Sequence, residues 1–399
     1  MSATSDPFLL FRDDLADRTM LFARPRAIVR VDRKADFFEA LETLQAAHKA
    51  GHWLAGYLSY EAGHLFEPRI ERLAEDGGSV PYLLFGIFDA PETGADPVSP
   101  RGEGGPESRM RGSSIAGSNL PFLTSPRARW NFETYQSRFD TLHNHLRKGD
   151  SYQGNLTFPI DAEWNGEPID AFHALAERQP VKYGALVNLG GPIILSRSPE
   201  LFFKVDEDGW IETHPMKGTA PRGATPDEDA AIIEAMKADE KTQAENRMIV
   251  DLLRNDISRI TGVGTLSVPK LFEIETYPTL HQMVSHVRAK LLPDTTLTDI
   301  FAALFPCGSI TGAPKMWTME ILHKLEQTPR GAYCGAIGYV APSGEMLFNV
   351  AIRTITLFDN GKATFNVGGG IVFDSCADDE YAEALLKARF AVGDEEIAR

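Results

Sequence analysis

Cysteine, long apolar runs and positive charge are all in short supply in this chain. The three cysteines among 399 residues, Cys307, Cys334 and Cys376, form no CxxC pair and are odd in number. That excludes a disulfide framework and a zinc site, and it suits a reducing, cytoplasmic setting. Each reads as a small buried filler. No apolar stretch approaches the ~20 residues of a membrane span. The N-terminus, MSATSDPFLLFRDDLADR, carries acids where a secretory leader needs bases and an apolar core. The 40 Lys and Arg are outnumbered by 56 Asp and Glu, leaving a formal net charge of -16. Such a balance excludes general nucleic-acid binding, and an anionic ligand would need a local basic pocket or a metal. No internal repeat of fixed period is present.

What remains is a soluble, core-forming composition, 43% hydrophobic and 24% charged, with room for one large unit or several. Short strand-like runs occur at 27–31, 53–60 and 82–88. DFFEALETLQAAH, residues 36–48, has helical apolar spacing. Residues 90–127 are dense in Pro, Gly, Ser and charge, so a flexible loop is expected between an N-terminal subdomain, 1–89, and the remainder, 128–399. A helix follows from Asn131, ending near Gly149. Strands are expected at 151–160, around a Ser-Pro turn in 193–205, and at 210–214. The longest helical stretch, 227–260, is expected to break near 238–242. Residues 331–374 are strand-rich, with hairpin signals at 342–345 and at Asp359-Asn360-Gly361-Lys362. A last helix runs over 378–392. Hairpins mixed with helices predict an α+β fold with antiparallel sheets.

Several groups could carry chemistry. Lys217, within HPMKGTAPRG, is framed by Pro and Gly, as a nucleophile or a cation set by a rigid turn would be. On the helix beginning at Lys241, residue Glu245 lies on or beside the stripe Met248, Ile249, Leu252, Leu253. An inward carboxylate needs a metal, a cation or a proton; the alternative is a helix-edge Glu reaching water. Glu380, Glu383 and Lys387 share one face of the last helix, as a surface ion pair or as part of a site for a hard cation such as Mg2+. Gly368, Gly369 and Gly370 follow a strand and read as an anion cradle or a bulge. Ser309, in SITGAPK, precedes a helix start. Arg353 falls in an otherwise apolar run as an edge charge or a carboxylate fork. His281 and Glu200 have little standing alone, and a single His is most simply a satisfied one.

In this order and spacing, SRSPELFF, HPMKGTAPRG, AENRMIVDLLRNDI, PTLHQMVS, GSITGAPK, RGAYCGAIGY, NVAIRTI and NVGGGIVFDS resemble the chorismate-utilising enzymes. That family includes anthranilate, aminodeoxychorismate, isochorismate and salicylate synthases. The resemblance covers about residues 128–395. It implies an α/β sandwich of two large, mainly antiparallel sheets flanked by helices, with 128–399 as the chorismate-binding catalytic domain. It implies Mg2+ held by Glu245 and Glu383, with Glu380 acting through water. Tyr333 and Arg353 would grip the enolpyruvyl carboxylate beside Gly368–Gly370. Ser309 would stand where the family commonly has Thr. Lys387 would neutralise the ring carboxylate, His281 would serve the leaving hydroxyl, and Glu200 would be the general acid. Gln153 stands where water-adding members carry a lysine base, which argues against that chemistry. Lys217 resembles the branch that aminates chorismate at C4, where the lysine is the nucleophile. Residues 50–65 also lean toward that branch. Thr242 departs from the acid relatives often carry.

The resemblance further implies ammonia from a separate glutamine amidotransferase partner and a downstream aminodeoxychorismate lyase. An anthranilate-forming enzyme is the alternative activity, and a non-catalytic chorismate-binding homologue the alternative of another class.

Overall fold

The computed structural model describes residues 6–94, 122–277 and 280–398. Two ten-stranded sheets make up the body, and all their pairings between described strands are antiparallel. The first runs Gly312–Ala313, Gln153–Trp164, Lys362–Ile371, Thr354–Leu357, Ile193–Ser198, Tyr183–Asn188, Phe8–Asp13, Arg18–Ala23 and Glu92–Thr93, with Leu123–Ala128 also paired to Gln153–Trp164. The second runs Met216–Pro221, Leu280–Lys290, Trp210–Thr213, Leu201–Val205, Met346–Val350, Ala336–Val340, Trp53–Leu58, Leu83–Phe88 and Ala27–Val31, with Ser267–Thr276 also paired to Leu280–Lys290.

Residues of both sheets meet in one inner core. Leu9, Phe22, Val187 and Ile194 of the first sheet pack with Ala55, Tyr57, Leu84 and Phe88 of the second. The outer faces are covered by helices. Tyr135, Phe139, Leu142 and Leu146, on one stripe of helix Phe132–Lys148, pack on the first sheet. Asn131 caps this helix by accepting from Thr134 N at 2.9 Å, and Gly149 ends it at φ 75°, a conformation glycine adopts without penalty. On the second sheet, helices Phe37–Lys49, Glu240–Ser258 and Leu297–Leu304 bury Leu41, Leu44, Ile249, Leu253 and Phe301. The expected break in the long helical stretch falls at Asp239, which separates Pro226–Ala238 from Glu240–Ser258.

Three expectations change on the structure. Among the described residues, 6–89 build no separate sheet: Phe8–Asp13 and Arg18–Ala23 belong to the first sheet, while Ala27–Val31, Trp53–Leu58 and Leu83–Phe88 belong to the second. The loop expected over 90–127 has strands at both ends, Glu92–Thr93 and Leu123–Ala128, and its interior, 95–121, lies outside the described residues. Arg353 is not in a strand. The chain leaves the second sheet at Val350 and enters the first at Thr354, and Arg353 occupies the crossing at φ 50°.

Candidate active site

Strand Lys362–Ile371 runs straight through the three glycines, which pair with Asn155, Leu156 and Thr157. The ladder takes up one edge of them; on the other, Thr354–Leu357 reaches only Ala363–Phe365. What they provide is room. Alternate residues of a strand face opposite ways. A Cβ on Gly370 would stand 3.1 Å from Gln153 Nε2 and 3.4 Å from Lys217 Nζ, whereas one on Gly369 would stand 3.0 Å from Glu380 Oε2 and 3.5 Å from Lys387 Nζ. The glycines thus open a window in the sheet. Groups on its two faces share one electrostatic environment, and the charges of Lys387 and Glu380 both act on Lys217.

Lys217 sits in an edge strand, not the tight turn expected from its Pro and Gly neighbours. Strand Met216–Pro221 slips register between Met216 and Thr219, which places Lys217 and Gly218 in a bulge. Gly218 takes φ +77° there. Burial holds the Lys217 ammonium below the usual lysine range, against the opposing pull of Glu245 and Glu200. Gln153 is fully buried beside it, and neither atom of its amide has a hydrogen-bond partner. Such a pair of unmet groups marks a place made for something else to bind.

Glu200 enters the second sheet just after the Ser198-Pro199 corner. Ser198 Oγ donates to Val350 O at 2.6 Å and accepts from Glu200 N at 3.2 Å, fixing that corner. The Glu200 carboxyl is buried and accepts from Ser309 Oγ at 2.7 Å. Burial raises it to about 6, against the Ser309 hydrogen bond and the Lys217 charge. A carboxyl in that range gives or takes a proton near neutrality.

The acids come from two helices. Glu245 rises from Glu240–Ser258, and Glu380 and Glu383 from Ala377–Lys387. Burial raises the Glu380 carboxyl, with Ser375 opposing and the nearby charges of Glu383 and Glu245 adding to the rise. Crowded carboxylates of this kind suit a hard divalent cation. Their present partners differ, however. Glu383 pairs with Lys387 at 2.7 Å, and Glu380 accepts from Ser375 Oγ at 2.7 Å. Among the described residues no three acids, histidines or cysteines are gathered closely enough to hold an ion. The donor types fit Mg2+. Lys387 Nζ also donates to Gly368 O at 3.0 Å, which ties the helix to the glycine window.

Three expected site residues have surroundings of their own. His281 is fully buried, with Nδ1 2.9 Å from Thr276 Oγ1 and Nε2 2.9 Å from Asp229 Oδ1, so both ring nitrogens are engaged. Arg353 turns toward Gln179, whose amide, with its oxygen facing the guanidinium, accepts from Nη1 and from Nε at 3.2 Å. Burial lowers the Arg353 guanidinium. Tyr333 is buried at the wall of a cleft of about 1480 Å³, together with Tyr60, Glu61, Arg330 and Asn366. That cleft does not include Lys217 among its lining residues. Ser375 and Asp229 were not singled out by sequence. Asp229 follows a visible cap pattern, Thr225-x-x-Glu228, and its being a third acid after Asp227 and Glu228 was the one available signal.

The profile of the family described as chorismate binding enzyme matches residues 6–393. Over 255 residues the chain is 43% identical to an aminodeoxychorismate synthase of Streptomyces pristinaespiralis, covering 64% of this chain and 35% of that protein. It thus spans about a third of that relative's length. Over 339 residues it is 36% identical to aminodeoxychorismate synthase component 1 of Klebsiella aerogenes, covering 83% of this chain and 74% of the relative. The crystal structure of anthranilate synthase component I from Streptococcus pneumoniae TIGR4 superposes with a TM-score of 0.77 at 25% identity, covering 98% of this chain and 93% of that one. Its two-sheet architecture is the one seen here. The matched profile, the relative spanned over most of its length and the shared fold agree: this chain belongs to the chorismate binding enzyme family.

Proposed function

We propose that this chain aminates chorismate at C4, giving 4-amino-4-deoxychorismate. The observation that carries this reading is the place of Lys217, a half-sheltered amine held beside Glu200, the unpartnered Gln153 and the side-chain-free Gly370. A buried lysine is more readily neutral, and only the neutral amine has the electron pair a nucleophile needs. The Lys217 amine adds to C2 of the ring, both ring double bonds move by one position, and the C4–O bond breaks. Glu200 gives its proton to the departing hydroxyl, which leaves as water. Ammonia then adds at C4, both double bonds move back, and the C2–N bond of the lysine ammonium breaks, restoring the free amine, while the new C4 ammonium returns a proton to Glu200. Displacement twice over is what directs nitrogen to C4.

In the same reading, Gln153 supplies no base for water, which keeps hydrolysis out. Glu245 and Glu383, with Glu380 through water, would hold Mg2+, whose chemistry is to bind the ring carboxylate and offset its charge. Ser309 aligns Glu200. Lys387 adds positive charge at the same end, and Tyr333 and Arg353 serve the enolpyruvyl carboxylate once Arg353 swings from Gln179. Ammonia would come from a separate glutamine amidotransferase, and a downstream lyase would consume the product. The family match, and relatives named for aminodeoxychorismate synthesis, support the assignment.

The test is a product assay of the purified chain with chorismate, Mg2+ and an ammonium salt, read by mass and by fluorescence, beside Lys217→Ala. The expected result is non-fluorescent aminodeoxychorismate from the wild type and none from the variant. Fluorescent anthranilate would assign the activity named for the S. pneumoniae structure instead. Chorismate binding without turnover would make the chain a non-catalytic homologue.

A further inference from the structure

We propose that Asp229 is a positioning residue, the fastening that fixes the Lys217 strand and so sets where the lysine amine stands. The inference rests on the reading of Lys217 given above. Strand Met216–Pro221 is the edge of its sheet and has one neighbour, Leu280–Lys290. Its register breaks at Lys217 and Gly218, so those residues have no ladder partner opposite them. A bulge on an edge is the least restrained place in a sheet.

Side chains hold it instead. Gln282, on the neighbouring strand, donates to Gly218 O at 2.7 Å and accepts from Thr219 Oγ1 at 2.7 Å. At the entry, Ser285 N donates to Pro215 O at 3.1 Å. Beyond the exit, most ties converge on a single carboxylate. Gly223 N donates to Asp229 Oδ1 at 2.7 Å. Arg222 Nε donates to Oδ2 at 2.9 Å, and Arg222 Nη2 donates to Oδ2 as well. Two ties go elsewhere: Arg222 Nη1 donates to Tyr277 O at 2.9 Å and Ala224 N to Glu228 Oε2 at 2.7 Å. His281, opposite Ala220 in register, brings Nε2 to within 2.9 Å of Oδ1. An ionised carboxylate only accepts, so Nε2 carries the proton and Thr276 donates to Nδ1. These donors hold the Asp229 carboxyl well below the usual carboxylate range.

Asp229 therefore ties three elements at one point: the end of the Lys217 strand, the neighbouring strand through His281, and its own helix. No side chain of that helix, Pro226–Ala238, is fully buried, and Ile232, Ile233 and Met236 are half-buried, so packing anchors it only in part. Its attachment also depends on the Thr225 cap, on Glu228 accepting from Ala224 N at 2.7 Å, and on Asp229. This also gives His281 a role that needs no contact with substrate, which its engaged ring nitrogens explain.

The experiment compares Asp229→Ala and Asp229→Asn with the wild type in three measurements. These are steady-state kinetics with chorismate and ammonium, hydrogen exchange of peptides spanning 215–223 and 226–238, and thermal unfolding. A misplacement of about 1 Å at a reacting atom costs up to about 100-fold in rate. The expected result is a kcat lower by about 10- to 100-fold for Asp229→Ala, with KM for chorismate within about 2-fold. Exchange at 215–223 should quicken while the unfolding midpoint hardly moves. Asp229→Asn keeps acceptors for Gly223 and His281 and should fall between. Unchanged exchange at 215–223 overturns the fastening. Faster exchange with unchanged kcat overturns its link to Lys217. A fall in kcat that merely tracks a fall in unfolding midpoint makes the residue structural only and also overturns the proposal. A wild type that does not aminate chorismate sinks the functional reading alone, and the exchange data still decide the fastening.

Discussion

Gly218→Ala, made alone and together with Thr242→Ser, tests the contact that lets the Lys217 bulge lie against helix Glu240–Ser258. Gly218 adopts φ +77°, and a Cβ built there would stand 2.3 Å from Thr242 Cγ2 but 3.5 Å from its Oγ1. Two separable penalties follow. The left-handed backbone costs an L-residue about 1–2 kcal/mol wherever the neighbours are. The overlap with the threonine methyl adds about 1–3 kcal/mol, typical of an overpacked contact. Thr242→Ser removes only that methyl. On this reasoning Gly218→Ala is destabilised by about 2–5 kcal/mol, Thr242→Ser by about 0.5 kcal/mol or less, and the double variant recovers the overlap part and keeps the backbone part. Urea unfolding of the four proteins measures this as a coupling of about 1–3 kcal/mol. Strict additivity, or a near-neutral Gly218→Ala, would refute the reasoning. Turnover should follow the same order, since the residue adjoins Lys217.

Three more outcomes are expected. Ser309→Ala removes a hydrogen bond that favours the ionised Glu200, so the carboxyl should rise from about 6 and the basic limb of the pH–rate profile should move to higher pH; a limb that stays put or moves down contradicts the assignment of Glu200 as acid. Glu326→Gln leaves Arg330 buried and uncompensated, since the two side chains pair at 2.7 Å at 5% and 1% exposure, so it should cost about 3–5 kcal/mol, with Glu326→Gln/Arg330→Met recovering much of it in denaturant titrations. Chelation by EDTA should abolish amination reversibly, and Glu245→Gln and Glu383→Gln should raise the Mg2+ needed for half-maximal rate; turnover indifferent to EDTA would remove the metal from the mechanism.

Local periodicity made some of this legible. The i, i+3, i+4 spacing puts Glu380, Glu383 and Lys387 on one helix face, whereas the other helix buries Asn246, Ile249, Val250 and Leu253 and leaves Glu245, Met248 and Leu252 half-buried at the edge of that stripe. The Asp239 break and the Gly149 cap were readable because caps are local. The contact of Ser309 with Glu200 is not, because it joins residues far apart in sequence and depends on sheet pairing. Glycines 368–370 leave turn and strand open in the sequence because a lack of side chains suits both, and only the pairing with Asn155–Thr157 decides for a strand. Arg353 reads as a strand residue because its neighbours are apolar, but they are apolar as the chain dives from one sheet to the other. For His281 the bland reading, a satisfied core histidine, describes its surroundings.

The weaving of the N-terminal strands into both sheets has a consequence during synthesis. Phe8–Asp13 must await Tyr183–Asn188, and Trp53–Leu58 must await Ala336–Val340, before either is paired on both sides. At about 5–20 residues per second, those gaps last on the order of ten seconds to a minute. Throughout, Leu9, Phe22, Tyr57 and Phe85, all buried in the finished protein, are in water or against the ribosome and its attendant chaperones. The nascent chain therefore carries unpaired strand edges from its first strands onward. Slowing translation over 60–180 should lengthen that exposure and lower the yield of active protein without any change of sequence.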